Sequence, residues 1–152
     1  MRIADRVQGT PPATGAMTDG RQTRPTHVLI IDDDATTLEC FELMLVEQGY
    51  VVRGVQTVEE GLAEAAIHPP DVVFLDFHLP VMDGLEGLRR FRGAPLHLRT
   101  PVAILTGDYF IDEDVAREIQ ALGARIHFKP VWETDLRQIV EALVSQGAGQ
   151  LQ

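Results

Sequence analysis

Cysteine and lysine are almost missing from this chain, which holds one of each, Cys40 and Lys129, among 152 residues. A lone cysteine excludes an internal disulfide and agrees with a reducing compartment. Long apolar runs are missing too. No stretch approaches the roughly 20 residues a helix needs to cross a bilayer, and the first 26 residues hold no apolar segment of the kind a secretory signal requires. Positive charge is scarce in the body of the protein. Residues 1–26 carry four arginines against Asp5 and Asp19, whereas residues 27–152 carry nine basic against 21 acidic side chains. A leader of +2 therefore precedes a body of −12, which gives the net −10 of the whole. So acidic a body is poorly matched to a phosphate backbone, which argues against direct nucleic-acid binding.

What is present suits one soluble globular domain: the length allows a proper core, and 45% of the residues are hydrophobic. Residues 1–26 are rich in Pro, Gly and Thr without periodicity and read as a disordered leader, within which Met17 could be the true start. From residue 27 the chain alternates between short apolar strands and helices. The strands are "HVLII", "YVVRGV", "DVVFLD", "TPVAILTG" and "RIHF", and the more polar second one belongs nearer the sheet edge. Between them, "TTLECFELMLVEQG" sets Leu38, Phe41 and Leu45 at helical spacing and stops at Gly49. "TVEEGLAEAAI" opens with Thr57 and Glu60 at capping-box spacing. "LEGLRRFRG" ends at Gly93 with a solvated basic face, and "DEDVAREIQALG" ends at Gly123 with acids in its first turn. "ETDLRQIVEALVSQ" is the last helix, followed by a flexible tail over 147–152. Strand–helix alternation with strands that are apolar throughout predicts an α/β fold, a parallel sheet covered by helices on both faces. Ligands of such sheets sit outside the carboxyl ends of the strands.

The strand ends carry the chemistry. After "HVLII" come Asp32, Asp33 and Asp34; after "VVFL" comes Asp76; after "VAIL", Thr106; and after "RIHF", Lys129. Asp34 is a ready N-cap for the next helix, Thr106 alone would be unremarked in a strand, and a lysine at a strand end is commonly solvated. Lys129 nevertheless stands out, because the other 12 basic residues are arginines and a compact ammonium is not interchangeable with a guanidinium. Carboxylates crowded on one edge raise one another's pKa unless cations compensate. Mg²⁺ does so with one or two carboxylates, waters and a phosphoryl oxygen, and Lys129 adds a point donor. The set suits an aspartate that accepts a phosphoryl group in line, with Asp76 as nucleophile because it lies between the acid pair and Thr106.

At "LIIDDD", "VVFLDFHLPVMDG", "PVAILTG" and "GARIHFKP", the chain resembles the response-regulator receiver domains of bacterial two-component signalling, from about His27 to about Gln146. The resemblance implies a flavodoxin-like, doubly wound five-stranded sheet of order 2-1-3-4-5. It implies Asp76 as phosphoacceptor, and Mg²⁺ (Mn²⁺ as an alternative ion) held by Asp32, Asp33, Asp76 and the backbone carbonyl of His78. Thr106 would bind the phosphoryl group, Lys129 would pair with it, and Pro130 would follow a cis peptide bond. Asp83 and Gly84 would shape the neighbouring loop. Gly107 would leave room for a phosphohistidine donor, unless that glycine serves only the loop's geometry. His78 and Asp108 at the rim could influence attack of water on the acyl phosphate, against a plain role as solvated loop residues.

One departure matters. Many receivers carry Tyr or Phe three positions before the lysine, at the switch position; here it is Ile126, with Phe128 next to Lys129 instead. Trp132 reads as packing. The expectation is a stand-alone cytoplasmic receiver, no enzyme apart from self-catalysed phosphotransfer and autodephosphorylation. Its partners would be a sensor histidine kinase or a histidine phosphotransfer protein and a downstream protein target, with no nucleic acid or membrane. Two rivals stand beside it. A docking receiver independent of phosphorylation would ignore loss of Asp76. An aspartyl-phosphate-forming phosphatase would generally need an acid where His78 stands.

Overall fold

The computed structural model describes residues 24–150, with side chains through 147. Its strands are β1 (His27–Ile31), β2 (Val51–Val55), β3 (Val72–Asp76), β4 (Val102–Thr106) and β5 (Ala124–Phe128). Between and after them lie α1 (Ala35–Glu47), α2 (Val58–Ile67), α3 (Gly84–Gly93), α4 (Glu113–Ala121) and α5 (Glu133–Gln150). All ladders are parallel and the strand order is β2-β1-β3-β4-β5, so the α/β, flavodoxin-like arrangement holds. The polar strand β2 is at an edge, as its composition required.

Side-chain alternation along the buried strands splits the core in two. Val28, Ile30, Val72, Phe74, Ala103 and Leu105 face α1 and α5, where they meet Phe41, Leu45, Leu136 and Val140. Their neighbours Leu29, Ile31, Val73, Leu75, Val102 and Ile104 face the other way, onto Val58, Leu88, Phe91 and Ile119 of α2, α3 and α4. Each large side chain buried this way contributes about 1.5–3 kcal/mol before entropy is counted. A strand buried on both sides cannot slip by one residue without exchanging the two cores, so the register that aligns the strand ends is firmly set.

Helix entry is handled by acids and a threonine. Asp34, Thr57, Asp83 and Asp112 each accept a backbone N–H from the first turn of α1, α2, α3 and α4, an interaction worth about 1 kcal/mol apiece. The Thr57–Glu60 pairing forms, but the Glu60 carboxylate reaches the N–H of Gln56, one residue before the cap. Gly49 (φ +95°) and Gly123 (φ +81°) supply the left-handed residues after α1 and α4.

Several local expectations need correction. Arg24 and Thr26, assigned to the leader, are already tied to the domain: Arg24 forms a bidentate pair with Asp71 at 2.8 and 2.9 Å, and Thr26 O accepts from Val51 N. Residues 1–23 of the leader, Met17 among them, lie outside the described residues. Helix α5 continues to Gln150, through most of the supposed tail. A 3₁₀ turn at Pro95–His97 was not foreseen. Cys40 is exposed on α1. Within "LRRFRG", Arg89 and Arg90 do face solvent and pair with acids, but Arg92 is half-buried and donates to the carbonyls of Leu122, His97 and Thr100. Trp132 is not packed in; it is 65% exposed. No helix among the described residues is long and apolar enough to cross a membrane.

Candidate functional site

Three consecutive acids after β1 take three different positions. Asp32 is 2% exposed; its backbone N–H bonds Val55 O, its Oδ1 accepts from Asp34 N at 2.9 Å, and its Oδ2 accepts from Lys129 Nζ at 3.3 Å. Asp33 is exposed, with its carbonyl held by Gln56 Nε2 at 3.0 Å. Asp34 caps α1, the bland role its sequence position suggested. Thus a short turn presents one carboxylate inward and the next at the surface.

Asp76 is the last residue of β3, the central strand, and is 6% exposed. Its Oδ1 accepts from Lys129 Nζ at 3.1 Å. The loop that follows is tightly tied: Phe77 N bonds Leu105 O at 2.8 Å, and Gly84 N bonds Phe77 O at 2.7 Å. A Cβ at Gly84 would stand 2.8 Å from Phe77 Cα, so only glycine lets α3 start this close to the acid. Ligand oxygens from Asp32, Asp33 and Asp76 all lie within 4.8 Å of one another.

Lys129 follows β5 and spans the cluster, bridging Asp32 and Asp76 through one ammonium. Burial, the Asp32 charge and, more weakly, the Asp33 charge push the Asp76 carboxyl above the ordinary carboxylate range, and Lys129 only partly offsets this. Burial works against the ammonium of Lys129, but Asp32 and Asp76 outweigh it and hold its pKa above the usual lysine value. The charge balance is therefore incomplete: one cation serves a group of acids that stays short of positive charge. That deficit, with hard oxygen donors and an exposed member in Asp33, fits a divalent cation.

The remaining predicted residues are placed less uniformly. Asp76 is paired with Leu105 in the β3–β4 ladder, so the buried Thr106 is the next residue along the neighbouring strand. Thr106 Oγ1 accepts from Asp108 N at 3.0 Å, and Thr106 O accepts from Lys129 N at 2.7 Å. The Asp108 carboxylate turns to the N–H of Phe110, within its own loop. His78 is exposed, its ring edge-on to Phe77 at 5.0 Å, and it bridges to Asp83 across the loop. Gly107 is exposed, has no left-handed backbone, and a Cβ there would meet nothing within 4 Å; neither strain nor packing calls for glycine. Ile126 is half-buried against the α2–α4 side core. The Lys129–Pro130 peptide is cis.

Two contributors escaped the sequence reading. Gln56 stands at the carboxyl end of β2, where the same end-of-strand logic finds it. Tyr109, which donates to Lys129 O, gave no signal because its partner is a backbone atom.

Comparison with known proteins finds matches over most of the chain. A family model described as the response regulator receiver domain matches residues 28–141. The cell cycle transcriptional regulator CtrA of Caulobacter vibrioides is 35% identical over 127 residues, 83% of this chain and 53% of CtrA. The transcriptional regulatory protein KdpE of Mycobacterium tuberculosis is 39% identical over 99 residues, 65% of this chain and 41% of KdpE. The chain thus spans about half the length of these relatives. Among solved structures, the chemotaxis protein CheY4 of Vibrio cholerae superposes with a TM-score of 0.73 at 26% identity, covering 79% of this chain and 99% of CheY4.

Proposed function

Since the chain belongs to the response regulator receiver family of two-component systems, we propose that Asp76 accepts a phosphoryl group from a phosphohistidine on a sensor histidine kinase or histidine phosphotransfer protein. The observation that carries this reading is the single ammonium of Lys129 shared between Asp76 and Asp32, at 3.1 and 3.3 Å, on the edge where the strands end. An oxygen of Asp76 attacks phosphorus while the P–N bond to the donor imidazole breaks, and the imidazole takes its proton from solvent. Asp32, Asp33 and Asp76, with the carbonyl of His78, would hold Mg²⁺. The ion supplies a positive charge that the clustered carboxylates lack and that the phosphoryl oxygens need.

The protein's own side chains divide the rest of the work. Asp32, fixed by Asp34 N, keeps Lys129 between two carboxylates, so the ammonium can shift toward a phosphoryl oxygen without a new charge having to be buried. Thr106 uses its lone pair on Asp108 N and keeps its own proton free to donate to the phosphoryl group. Open space beside Gly107 suits the approach of the donor imidazole. His78, exposed two residues after the acceptor, affects how fast water removes the group; an Asn there with an unchanged phosphoryl half-life would reject that role. The phosphorylated domain signals to a protein target by contact or onward transfer.

Incubation with acetyl phosphate and Mg²⁺, followed by intact mass and peptide mapping, tests the chemistry. One phosphoryl group is expected on the peptide holding Asp76 and none on the Asp76→Asn variant. Modification elsewhere, or none on the wild type, overturns the assignment.

A further inference from the structure

We propose that Tyr109 is a positioning residue for Lys129, fixing the backbone from which the ammonium reaches Asp76. The inference rests on the phosphoacceptor reading above. Lys129 follows β5, which is an edge strand, and among the described residues no sixth strand lies beyond it to hold its peptide groups. Both are nevertheless engaged: its N–H donates to Thr106 O at 2.7 Å, and its carbonyl accepts from the Tyr109 hydroxyl at 3.0 Å. The Tyr109 ring lies flat on Phe128, with centroids 5.1 Å apart and planes 26° apart.

This clamp is poorly explained as a device for stability. Tyr109 is 62% and Phe128 43% exposed, so the pair excludes little water, and a surface carbonyl without the tyrosine would be satisfied by solvent at small net cost. Its consequence is geometric. A lysine stem is long and flexible, and it places its nitrogen reliably only when its own backbone is held. Clamping the Lys129 peptide on both sides restricts where Nζ can lie against Asp76 and Asp32. The same loop also holds Thr106, through Asp108 N, so hydroxyl and ammonium are set by one short segment, 106–109.

The test uses the full chain and two variants. Tyr109→Phe removes only the hydroxyl and keeps the ring stack; Phe128→Leu keeps the hydroxyl and removes the stack. Because Lys129 is the only lysine, selective isotopic labelling of lysine gives one side-chain NMR signal that reports its surroundings directly. The Tyr109→Phe signal is expected to move and broaden in the folded protein. Affinity for beryllofluoride in the presence of Mg²⁺ is expected to fall about threefold to tenfold, the worth of one net hydrogen bond, while the thermal midpoint stays near that of the wild type. Phe128→Leu is expected to show a smaller change of the same kind. An unmoved lysine signal in Tyr109→Phe, or a lowered midpoint with signal and affinity unchanged, overturns the proposal. Failure of the wild type to bind beryllofluoride would instead overturn the phosphoacceptor reading, and the lysine signal would still decide the clamp.

Discussion

Replacing Asp76 by Asn is expected to stabilise the metal-free protein at neutral pH while abolishing its chemistry. Oxygens of Asp32 and Asp33 lie within 4.8 Å of those of Asp76. At an effective dielectric near 20, each such pair repels by about 3.5 kcal/mol, whereas Lys129 attracts Asp76 across 3.1 Å by about 5 kcal/mol. Asp33 is exposed, so solvent screens its share; burial of Asp76 adds a penalty of the same sign. The net favours the neutral side chain by about 1–2 kcal/mol, consistent with the raised pKa of Asp76. A carboxyl whose folded pKa lies above its unfolded value binds more protons when folded, so its burden on stability is absent below about pH 4 and complete above the folded pKa. Thermal unfolding in EDTA at pH 7 should therefore place the Asn variant about 3–6 °C above the wild type, with the gap closing under acid. Saturating Mg²⁺ should reverse the order, because an ion at about 100 times its Kd adds about 2.7 kcal/mol to the protein that binds it. An Asn variant no more stable than the wild type without metal would refute the argument from uncompensated charge.

Three further outcomes follow from the packing. Arg92→Ala leaves the carbonyls of Leu122, His97 and Thr100 without their shared donor and should cost about 2–3 kcal/mol in urea unfolding; a loss near zero would show that water replaces the guanidinium. Gly84→Ala drives a methyl group into Phe77 Cα at 2.8 Å, which should lower stability by about 1–3 kcal/mol and slow phosphorylation from acetyl phosphate. Burial opposes ionisation of Asp71, but hydrogen bonds from Arg24 and His27 N more than offset it and lower its pKa. Its stabilisation is thus present above the unfolded pKa and lost as pH falls through the folded one. Asp71→Asn should flatten the acid limb of the stability profile, by less than about 1 kcal/mol since Arg24 is largely exposed.

The strands and the strand-end acids were legible because burial on two faces and end-of-strand placement are written in single residues and short runs; the strand order came only from the family resemblance. Asp32, Asp33, Asp76 and Lys129 could be brought together on paper as soon as the sheet was taken as parallel. Arg92 was misread because its partners are carbonyls of a 3₁₀ turn and a helix end, which leave no trace in side-chain pattern. Trp132 was misread for a related reason: an isolated aromatic after a proline carries no periodicity to say which side of α5 it takes. The end of α5 was set too early, at Gln146; the helix runs on through Gly147, where a Cβ would stand 3.2 Å from Pro101 Cγ, so the glycine lets it lie against Pro101.

That contact, together with the Arg24–Asp71 pair, has a practical outcome. Asp71 and Pro101 mark the amino-terminal feet of β3 and β4, and Asp76 lies five residues further along the strand than Asp71, about 16 Å away. Both Arg24, where the described residues begin, and the later turns of α5 beside Pro101 therefore lie on the side away from the clustered carboxylates. A dye or tether attached at Arg24 or at the described end of α5 would thus sit on the side opposite the clustered carboxylates.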